Sequence, residues 1–225
     1  MSILGQTVGK LKQKSTYDYF FQTLRYSLYV ISHPLDGTWD LTHENRGSIA
    51  AANFIVLLTL FTRIWKLQFT SFQFIQVYWE NVNIFLQFAS VLLPLIIWCV
   101  GNWGLTTLFD GKGTMKKIYM GTAYALTPYP LIQIPLIFFS NIITVEEGAF
   151  YSVFSQFSII WVALLIIAAM MQIHEYSLGK TIACIIASIA AMMVIVFILL
   201  LFFSLISDGV AYFVSLYEEF IFRLY

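Results

Sequence analysis

Charged residues are scarce in this chain, and their scarcity excludes a water-soluble fold. Lys, Arg, Asp and Glu make up 11% of the 225 residues, whereas 60% are hydrophobic. A soluble domain usually has about 25% charged and about 45–50% apolar residues. So few charges could not cover a water-facing surface, and the composition predicts an integral membrane protein. Because the 12 basic and 12 acidic residues balance, the chain has no broad basic face, and we exclude nucleic acid as a partner.

Cysteine is also rare, and complete catalytic motifs are missing. Cys99 and Cys184 lie in apolar runs and are expected to be buried thiols rather than a disulfide or a metal site. The segment "SLGKT", residues 177–181, lacks the first glycine of a phosphate-binding loop, because His174 stands at that position. His174 also lacks the second histidine that a helical zinc site places four residues later. We therefore predict that the chain is not an enzyme and has no catalytic residue, no metal and no cofactor.

Long apolar runs dominate the rest of the chain. A membrane-crossing helix needs about 20 mostly apolar residues, and five segments meet this requirement. The connecting loops are short, and no low-complexity linker marks a second domain. The predicted fold class is all-α, a polytopic membrane protein with five transmembrane helices. The predicted spans run roughly from Ser48 to Trp65, Ile84 to Phe109, Ile118 to Ile143, Phe150 to Ile173, and Thr181 to Ile206.

The basic residues predict the orientation of these spans. Lys and Arg near span ends collect on the cytoplasmic side of a membrane. An N-in/C-out arrangement places nine of the 12 basic residues inside and leaves Arg63, Lys66 and Arg223 outside. We therefore expect a multi-pass protein of a plasma membrane with its N-terminus in the cytoplasm. The nine residues placed inside are Lys10, Lys12, Lys14, Arg25, Arg46, Lys112, Lys116, Lys117 and Lys180.

Amphipathic segments flank the five spans. In "TYDYFFQTLRYSLYVI", residues 16–31, apolar side chains recur at helical spacing just after three lysines. This pattern predicts an interfacial helix on the anionic inner leaflet, with membrane lipid as a partner. A similar stripe near the C-terminus predicts an amphipathic helix on the outer surface, with a short re-entrant segment as the alternative. The expected division is 1–47 for the N-terminal segment, 48–206 for the membrane domain and 207–225 for the C-terminal helix.

The third predicted span concentrates proline. Pro128, Pro130 and Pro135 each remove a backbone donor, so the freed carbonyls need partners from neighbouring helices or water. Broken helices line substrate sites in some transporters, and they also occur in purely structural bundles. A small passive channel or neutral-solute transporter built around this span is therefore the alternative hypothesis. The neutral polar residues inside the spans are expected to hydrogen-bond between helices: Asn53, Gln87, Asn102, Gln133 and Gln156.

The polar stretch "HPLDGTWDLTHENRGS", residues 33–48, lies immediately before the first span. Pro34 is expected to end the preceding helix, Asp36 and Gly37 to form a turn, and Trp39 to lie at headgroup depth. A metal site here would need ligands from two faces of a turn, without any matching spacing. A third hypothesis is a membrane hydrolase whose active site would combine the polar residues between His33 and Glu44 with His174. We interpret the stretch as a hinge at the membrane surface or a contact for a cytoplasmic partner.

The segment "FDGKGTMKKIYMGTAYALTPYPL", residues 109–131, resembles the YIP family, the Ypt/Rab-interacting-protein membrane domain. The likeness consists of a short Asp-Gly-x-Gly loop, a Lys-containing segment, and Tyr-x3-Ala-Tyr-Ala-x-x-Pro leading into a proline-bearing span. With the five-span layout and the upstream "HPLDGTWDL", it covers nearly the whole chain and is strongest for the bacterial branch. The eukaryotic Asp-Leu-Tyr-Gly-Pro motif is missing, so small-GTPase binding is not expected. The matching positions are Asp110, Gly111, Gly113, Lys116, Tyr119, Ala123, Tyr124, Ala125 and Pro128.

The resemblance implies an accessory role, because bacterial members of this kind often accompany carbohydrate ABC importers. Together with the missing catalytic motifs, it leads to our first hypothesis. The chain would be a non-enzymatic protein of the bacterial plasma membrane that acts by contact with other membrane proteins, such as ABC transporter permease subunits. The candidate partner-contact residues are Trp39, Asp40, His43, Asp110, Lys116, Lys117, Tyr124, Pro128 and His174.

Overall fold

The computed structural model describes residues 3–44, 46–75 and 82–224, with only the backbone for residues 3–16 and 224. These residues form eight helices and no strand, which confirms the all-α fold class. The helices are α1 (Ile3–Ser32), α2 (Pro34–His43), α3 (Ile49–Phe69), α4 (Ile84–Leu108), α5 (Met115–Ala125), α6 (Pro128–Phe139), α7 (Gly148–His174) and α8 (Leu178–Leu224).

Five stretches are long and apolar enough to cross a membrane, as predicted. They are α3, α4, α5 and α6 taken together, α7, and α8. The span formed by α5 and α6 is the most buried of the five within the protein. The protein is therefore a multi-pass membrane protein, and its third span lies at the centre of the bundle.

The third span is divided into α5 and α6 where the prolines begin. Pro128 has no N–H to offer the carbonyl of Tyr124, which instead accepts from the N–H of Thr127 at 3.1 Å and its hydroxyl at 2.6 Å. The carbonyl of Leu126 loses its helical partner to a second proline and accepts from the N–H of Tyr129 at 3.0 Å. The predicted kink is confirmed as a break in the helix, and nearby donors of the same chain satisfy both freed carbonyls.

α1 and α2 form a helical pair ahead of the first span. α1 ends at Ser32, just before Pro34, as predicted, but Asp36 and Gly37 lie inside α2. The predicted turn at these two residues is therefore wrong. Pro34 occupies the first turn of α2, where a missing N–H costs nothing. Gly37 allows close packing of the pair, since a Cβ at this position would lie 2.9 Å from the Cα of Val30.

The predicted apolar stripe of α1 is partly exposed. Tyr17, Phe21 and Leu28 are exposed, whereas Thr23 and Ser27 face the protein and are buried. The placement of this helix on a membrane surface stays a prediction. The side chains of the three lysines that precede the stripe lie outside the described residues: Lys10, Lys12 and Lys14.

α8 runs without a break from Leu178 to Leu224. Its 47 residues extend roughly 70 Å at 1.5 Å per residue, more than twice the ~30 Å hydrocarbon core of a bilayer. The expected C-terminal helix is thus the continuation of the last span, because Gly209 alone lowers helix propensity by only about 1 kcal/mol. Its position on the outer surface stays a prediction, and Tyr225 lies outside the described residues.

Small residues let the central helices approach closely. Ala51 and Ala52 of α3 and Ala123 of α5 are fully buried, and a Cβ at Gly121 would lie 2.5 Å from the Cδ1 of Ile173 in α7. Close contact of this kind is how helices associate in lipid, where the hydrophobic effect does not drive them together. Four of the five polar residues predicted to bond between helices do so, whereas Gln156 is exposed. The bonds are Asn53 to Tyr119, Gln87 to Arg63, Asn102 to Ser188, and Gln133 to Ser155 and Ser158.

Candidate functional site

The α2 end of the bundle is the end where α2, the loop of residues 109–114 and the loop of residues 175–177 lie together. Two helices end here in the same way. α4 is followed by Asp110 with φ 55°, and α7 by Glu175 with φ 54°. In each case the N–H of the next residue donates a hydrogen bond to the carbonyl five positions earlier. Gly111 N donates to Thr106 O at 2.8 Å, and Tyr176 N donates to Met171 O at 3.1 Å. A left-handed conformation costs a residue with a side chain roughly 1–2 kcal/mol, so the surrounding contacts must hold both loops in place.

The Asp-Gly-x-Gly loop lies flat against His174. A Cβ at Gly111 would be 2.7 Å from the Nδ1 of His174, and a Cβ at Gly113 would be 2.5 Å from its Cε1. Neither glycine has a positive φ. The two glycines are therefore required by close approach to the histidine rather than by a backbone conformation that only glycine adopts.

His174 links the loop to three spans through hydrogen bonds. Its side chain is 2% exposed. Nδ1 accepts from Gly113 N–H at 3.3 Å, so Nε2 carries the proton of the neutral ring and donates to the Oδ1 of Asn102 at 3.0 Å. The Nδ2 of Asn102 then donates to the Oγ of Ser188 at 3.1 Å. We call His174, Asn102, Ser188 and Gly113 the His174 cluster; it joins α7, α4, α8 and the loop.

The last carbonyl of α4 is also capped from α8. Phe109 O accepts from the hydroxyl of Tyr176 at 2.7 Å and from the Nζ of Lys180 at 3.1 Å. The Nζ of Lys180 also lies 4.0 Å from the centroid of the Tyr176 ring, and that ring stacks on His174. A cation at a helix C-terminus is favourable because the helix dipole is negative there. Lys180 therefore fixes the start of α8 against the end of α4.

Glu175 connects the loop to α2. Its carboxylate pairs with Lys112 in the loop, and its Oε1 lies 3.7 Å from the Nε2 of His43 at the end of α2. The hydrogen bond from Lys112 lowers the pKa of Glu175 below its usual range. The Lys112–Glu175 pair therefore joins the two loops, and the contact of Glu175 with His43 links them to α2 at the surface.

The exposed face of α2 is aromatic and charged. The rings of Trp39 and His43 stack with centroids 3.8 Å apart, and Trp39 is 41% exposed. On the neighbouring side, Asp40 accepts from the Tyr26 hydroxyl at 3.2 Å and pairs with Arg46 at 3.2 Å. Burial, with a smaller effect of the Asp40 carboxylate, raises the pKa of Tyr26. α2 is thus anchored to α1 and presents its Trp39–His43 stack outward.

Tyr124 anchors the start of the first span. It is 0% exposed. Its hydroxyl donates to Thr23 O at 3.1 Å and accepts from Ser48 N–H at 3.2 Å. Ser48 in turn caps α3 by accepting from Ala51 N–H at 3.1 Å. One side chain of α5 therefore ties together α1 and the beginning of α3.

We expect Tyr124→Phe to lower the free energy of unfolding by about 1–3 kcal/mol, because Thr23 O and Ser48 N–H would lose a buried partner. Thermal unfolding in detergent micelles measures the change. Tyr119→Phe is the matched control. It removes the hydroxyl that donates to Asn53 at 2.6 Å in an exposed position, so its effect should be smaller. An equal loss in both variants would contradict the anchoring role of Tyr124.

The nine predicted contact residues separate into two groups. Tyr124, Pro128 and His174 are buried among the chain's own helices. Tyr124 and His174 bond to other elements of the bundle, and Pro128 lies at the break between α5 and α6. These three residues are not part of the surface that a partner would meet. No group of three or more His, Cys, Asp or Glu side chains within the described residues could hold a metal ion. The remaining six lie on or next to the surface: Trp39, Asp40, His43, Asp110, Lys116 and Lys117.

Three residues of this site were not singled out from the sequence. Glu175 and Lys112 form the link between the loops, and Tyr176 caps α4. Each acts across more than 60 residues of chain, and no local pattern marks such a pairing. Asn102 was predicted to bond between helices, but nothing in the sequence indicated its bond to His174.

The fold and the site define a class: a helical, five-span membrane protein whose Asp-Gly-x-Gly loop packs against a buried histidine at one end of the bundle. A family model, the Yip1 domain, matches residues 28–207, from the second half of α1 into α8. The chain therefore belongs to the Yip1 family. A comparison with curated proteins and one with solved structures gave no match.

Proposed function

We propose that this protein is non-enzymatic and acts through contacts between its α2 end and other membrane proteins. The observation that supports this most is the construction of that end. The buried His174 cluster and the Lys112–Glu175 ion pair hold the two loops in place beneath an exposed surface. α2 is joined to them through the contact of His43 with Glu175 and to α1 through the bond of Tyr26 to Asp40. We call the exposed surface the α2 surface, and it consists of Trp39, His43, Asp110, Lys112, Lys116 and Lys117.

The chemistry of the α2 surface suits a protein partner. Tryptophan is enriched among the residues that contribute most to protein–protein binding. Here Trp39 is exposed yet held by its stack on His43, so little side-chain freedom remains to be lost on binding. Lys112, Lys116 and Asp110 offer both signs of charge, which favours specificity over general attraction to anionic lipid.

The predicted N-in orientation places the α2 surface in the cytoplasm of a bacterial cell. There it could meet the cytoplasmic loops of a permease. The choice of a carbohydrate ABC importer as the partner rests on the resemblance to bacterial family members. α1, with its exposed apolar residues, would lie along the inner leaflet beside the α2 surface.

Photo-crosslinking combined with purification tests this proposal. A photoreactive residue that replaces Lys116 should crosslink to a permease subunit in membranes of the organism from which the protein comes. A photoreactive residue that replaces Ile142, which is 78% exposed at the other end of the bundle, should not. Trp39→Ala should reduce recovery of the partner at least tenfold, the loss typical of a central interface residue. Recovery of the chain alone, or equal crosslinking from both positions, would refute the proposal.

A passive transporter built around the third span is the alternative. Gln133 favours it in one respect, because its buried Oε1 has no hydrogen-bond partner within the part of the chain that the structure describes. Proteoliposomes that contain only this chain should show no saccharide flux under our proposal. Flux that falls in a Gln133→Leu variant would support the transporter instead.

A further inference from the structure

Lys66 is a half-buried cation in the last turn of α3, at the end of the bundle away from α2. Its Nζ donates to the Oγ of Ser155 in α7 at 3.0 Å and lies 5.7 Å from the ring centroid of Tyr151. Arg63, one turn earlier on the same face of α3, donates to the amide oxygen of Gln87 at 3.3 Å. The ion pairs among the described residues include neither Lys66 nor Arg63. Two like charges therefore share one face with only neutral partners.

The groups behind Lys66 keep unused hydrogen-bonding capacity. Ser155 Oγ accepts from Lys66 and from the Nε2 of Gln133 at 3.1 Å, so its own proton is free for another acceptor. Gln133 is 0% exposed and its Oε1 has no partner among the described residues. A partly desolvated ammonium beside a free hydroxyl is costly without an anion and favourable with one.

An apolar groove adjoins this polar group. It has a volume of about 420 Å³ between α6 and the first turns of α7, and Pro135, Phe139, Phe150, Tyr151 and Phe154 are among its lining residues. This volume lies in the range of ligand-binding pockets, roughly 300–1,000 Å³. Tyr151 belongs both to the groove and to the surroundings of Lys66. The groove and the cation are thus neighbours, separated by the Tyr151 ring.

We propose that Lys66, Ser155 and the adjoining groove form a binding site for an anionic phospholipid. The phosphate would accept from the ammonium of Lys66 and the hydroxyl of Ser155, with Arg63 adding a second positive charge, and an acyl chain would occupy the groove. The depth fits this assignment. Lys66 lies three residues before the end of α3, about 4.5 Å along the helix axis, which is close to the headgroup level of a bilayer. A zwitterionic lipid such as phosphatidylcholine would bring its own quaternary ammonium next to Lys66 and Arg63, which costs free energy because like charges repel. A free phosphate would leave the apolar groove unfilled.

Native mass spectrometry of the full chain in a mild detergent tests the site with phosphatidylglycerol and phosphatidylcholine as probes. The wild type should retain phosphatidylglycerol at least tenfold more tightly than phosphatidylcholine, and Lys66→Gln should lose most of that preference, as expected for one charge-assisted hydrogen bond. Lys66→Arg should keep the preference. Arg223→Gln, which removes one positive charge near the end of α8 and outside both proposed sites, is the matched control and should bind like the wild type.

Competition separates a lipid site from a site for a free anion. Inorganic phosphate and glycerol 3-phosphate have the charge without the chain and should not displace bound phosphatidylglycerol at millimolar concentration. Displacement by either one, equal retention of the two phospholipids, or an unchanged preference in Lys66→Gln would overturn the proposal. If Lys66→Gln does not fold, the wild type still decides, because phosphatidylglycerol should raise its unfolding temperature more than phosphatidylcholine does. The outcome does not depend on the partner proposed for the α2 surface.

Discussion

His174→Ala should destabilise the protein by roughly 3–5 kcal/mol and loosen the α2 end. The substitution removes the acceptor of Gly113 N–H and the donor to Asn102 Oδ1. Each buried group left without a partner costs about 1–3 kcal/mol, and the cavity left by the ring adds to this. Because the cluster joins α7, α4, α8 and the 109–114 loop, the loss should reach all of them. Thermal unfolding in detergent measures the effect, with labelling of the buried thiols of Cys99 and Cys184 as the signal for unfolding.

Two further variants identify the cause of this loss. His33→Ala removes an exposed histidine whose side chain bonds to Ser32 and stacks on Tyr29 of α1, and it should change the free energy of unfolding by no more than about 0.5 kcal/mol. His174→Gln supplies one donor and one acceptor on a flexible side chain and should recover part of the stability. A His174→Ala variant that unfolds like the wild type would show that the cluster is not what holds the α2 end.

The spans were predictable because each depends only on the composition of a continuous stretch of about 20 residues. The break after α5 was predictable for a similar reason, since Pro128 removes a donor wherever it stands. The start of α2 was not predictable from local composition. Asp36 and Gly37 have the composition of a turn, but Pro34 favours a first helical turn and packing against Val30 favours a glycine inside the helix. Tertiary contact overrode the local signal.

The candidate site was predictable only in part, because its contacts join distant parts of the chain. The glycines of the Asp-Gly-x-Gly loop were visible, but their reason lies in His174, which is 61 positions from Gly113. Glu175 shows the same limit. Its left-handed conformation and its pairing with Lys112 depend on the packing of α7 against the 109–114 loop. No local sequence pattern indicates this packing. The resemblance to the family pointed to the right segment, and the structure supplies the physical reason for its motif.

Gly113→Ala should therefore be nearly as damaging as the loss of His174, although it adds only one methyl group. The new Cβ would lie 2.5 Å from His174 Cε1 and 2.7 Å from the Cγ2 of Ile173. The ring cannot move away without breaking its bonds to Asn102 and to Gly113 itself. Overpacking costs about 1–3 kcal/mol and the weakened hydrogen bond roughly 1 kcal/mol more, so we expect a loss of about 2–4 kcal/mol in thermal unfolding.

Gly104→Ala is the matched control for this prediction. A Cβ at Gly104, on the preceding span, would meet nothing within 4 Å. Alanine also favours a helix over glycine by about 1 kcal/mol, so this variant should be as stable as the wild type or more so. The opposite signs of the two glycine substitutions would show that the loop motif serves contact with His174. A Gly113→Ala variant as stable as Gly104→Ala would show that the loop is free to move off the histidine. The α2 surface would then lack the rigid support on which its proposed role depends.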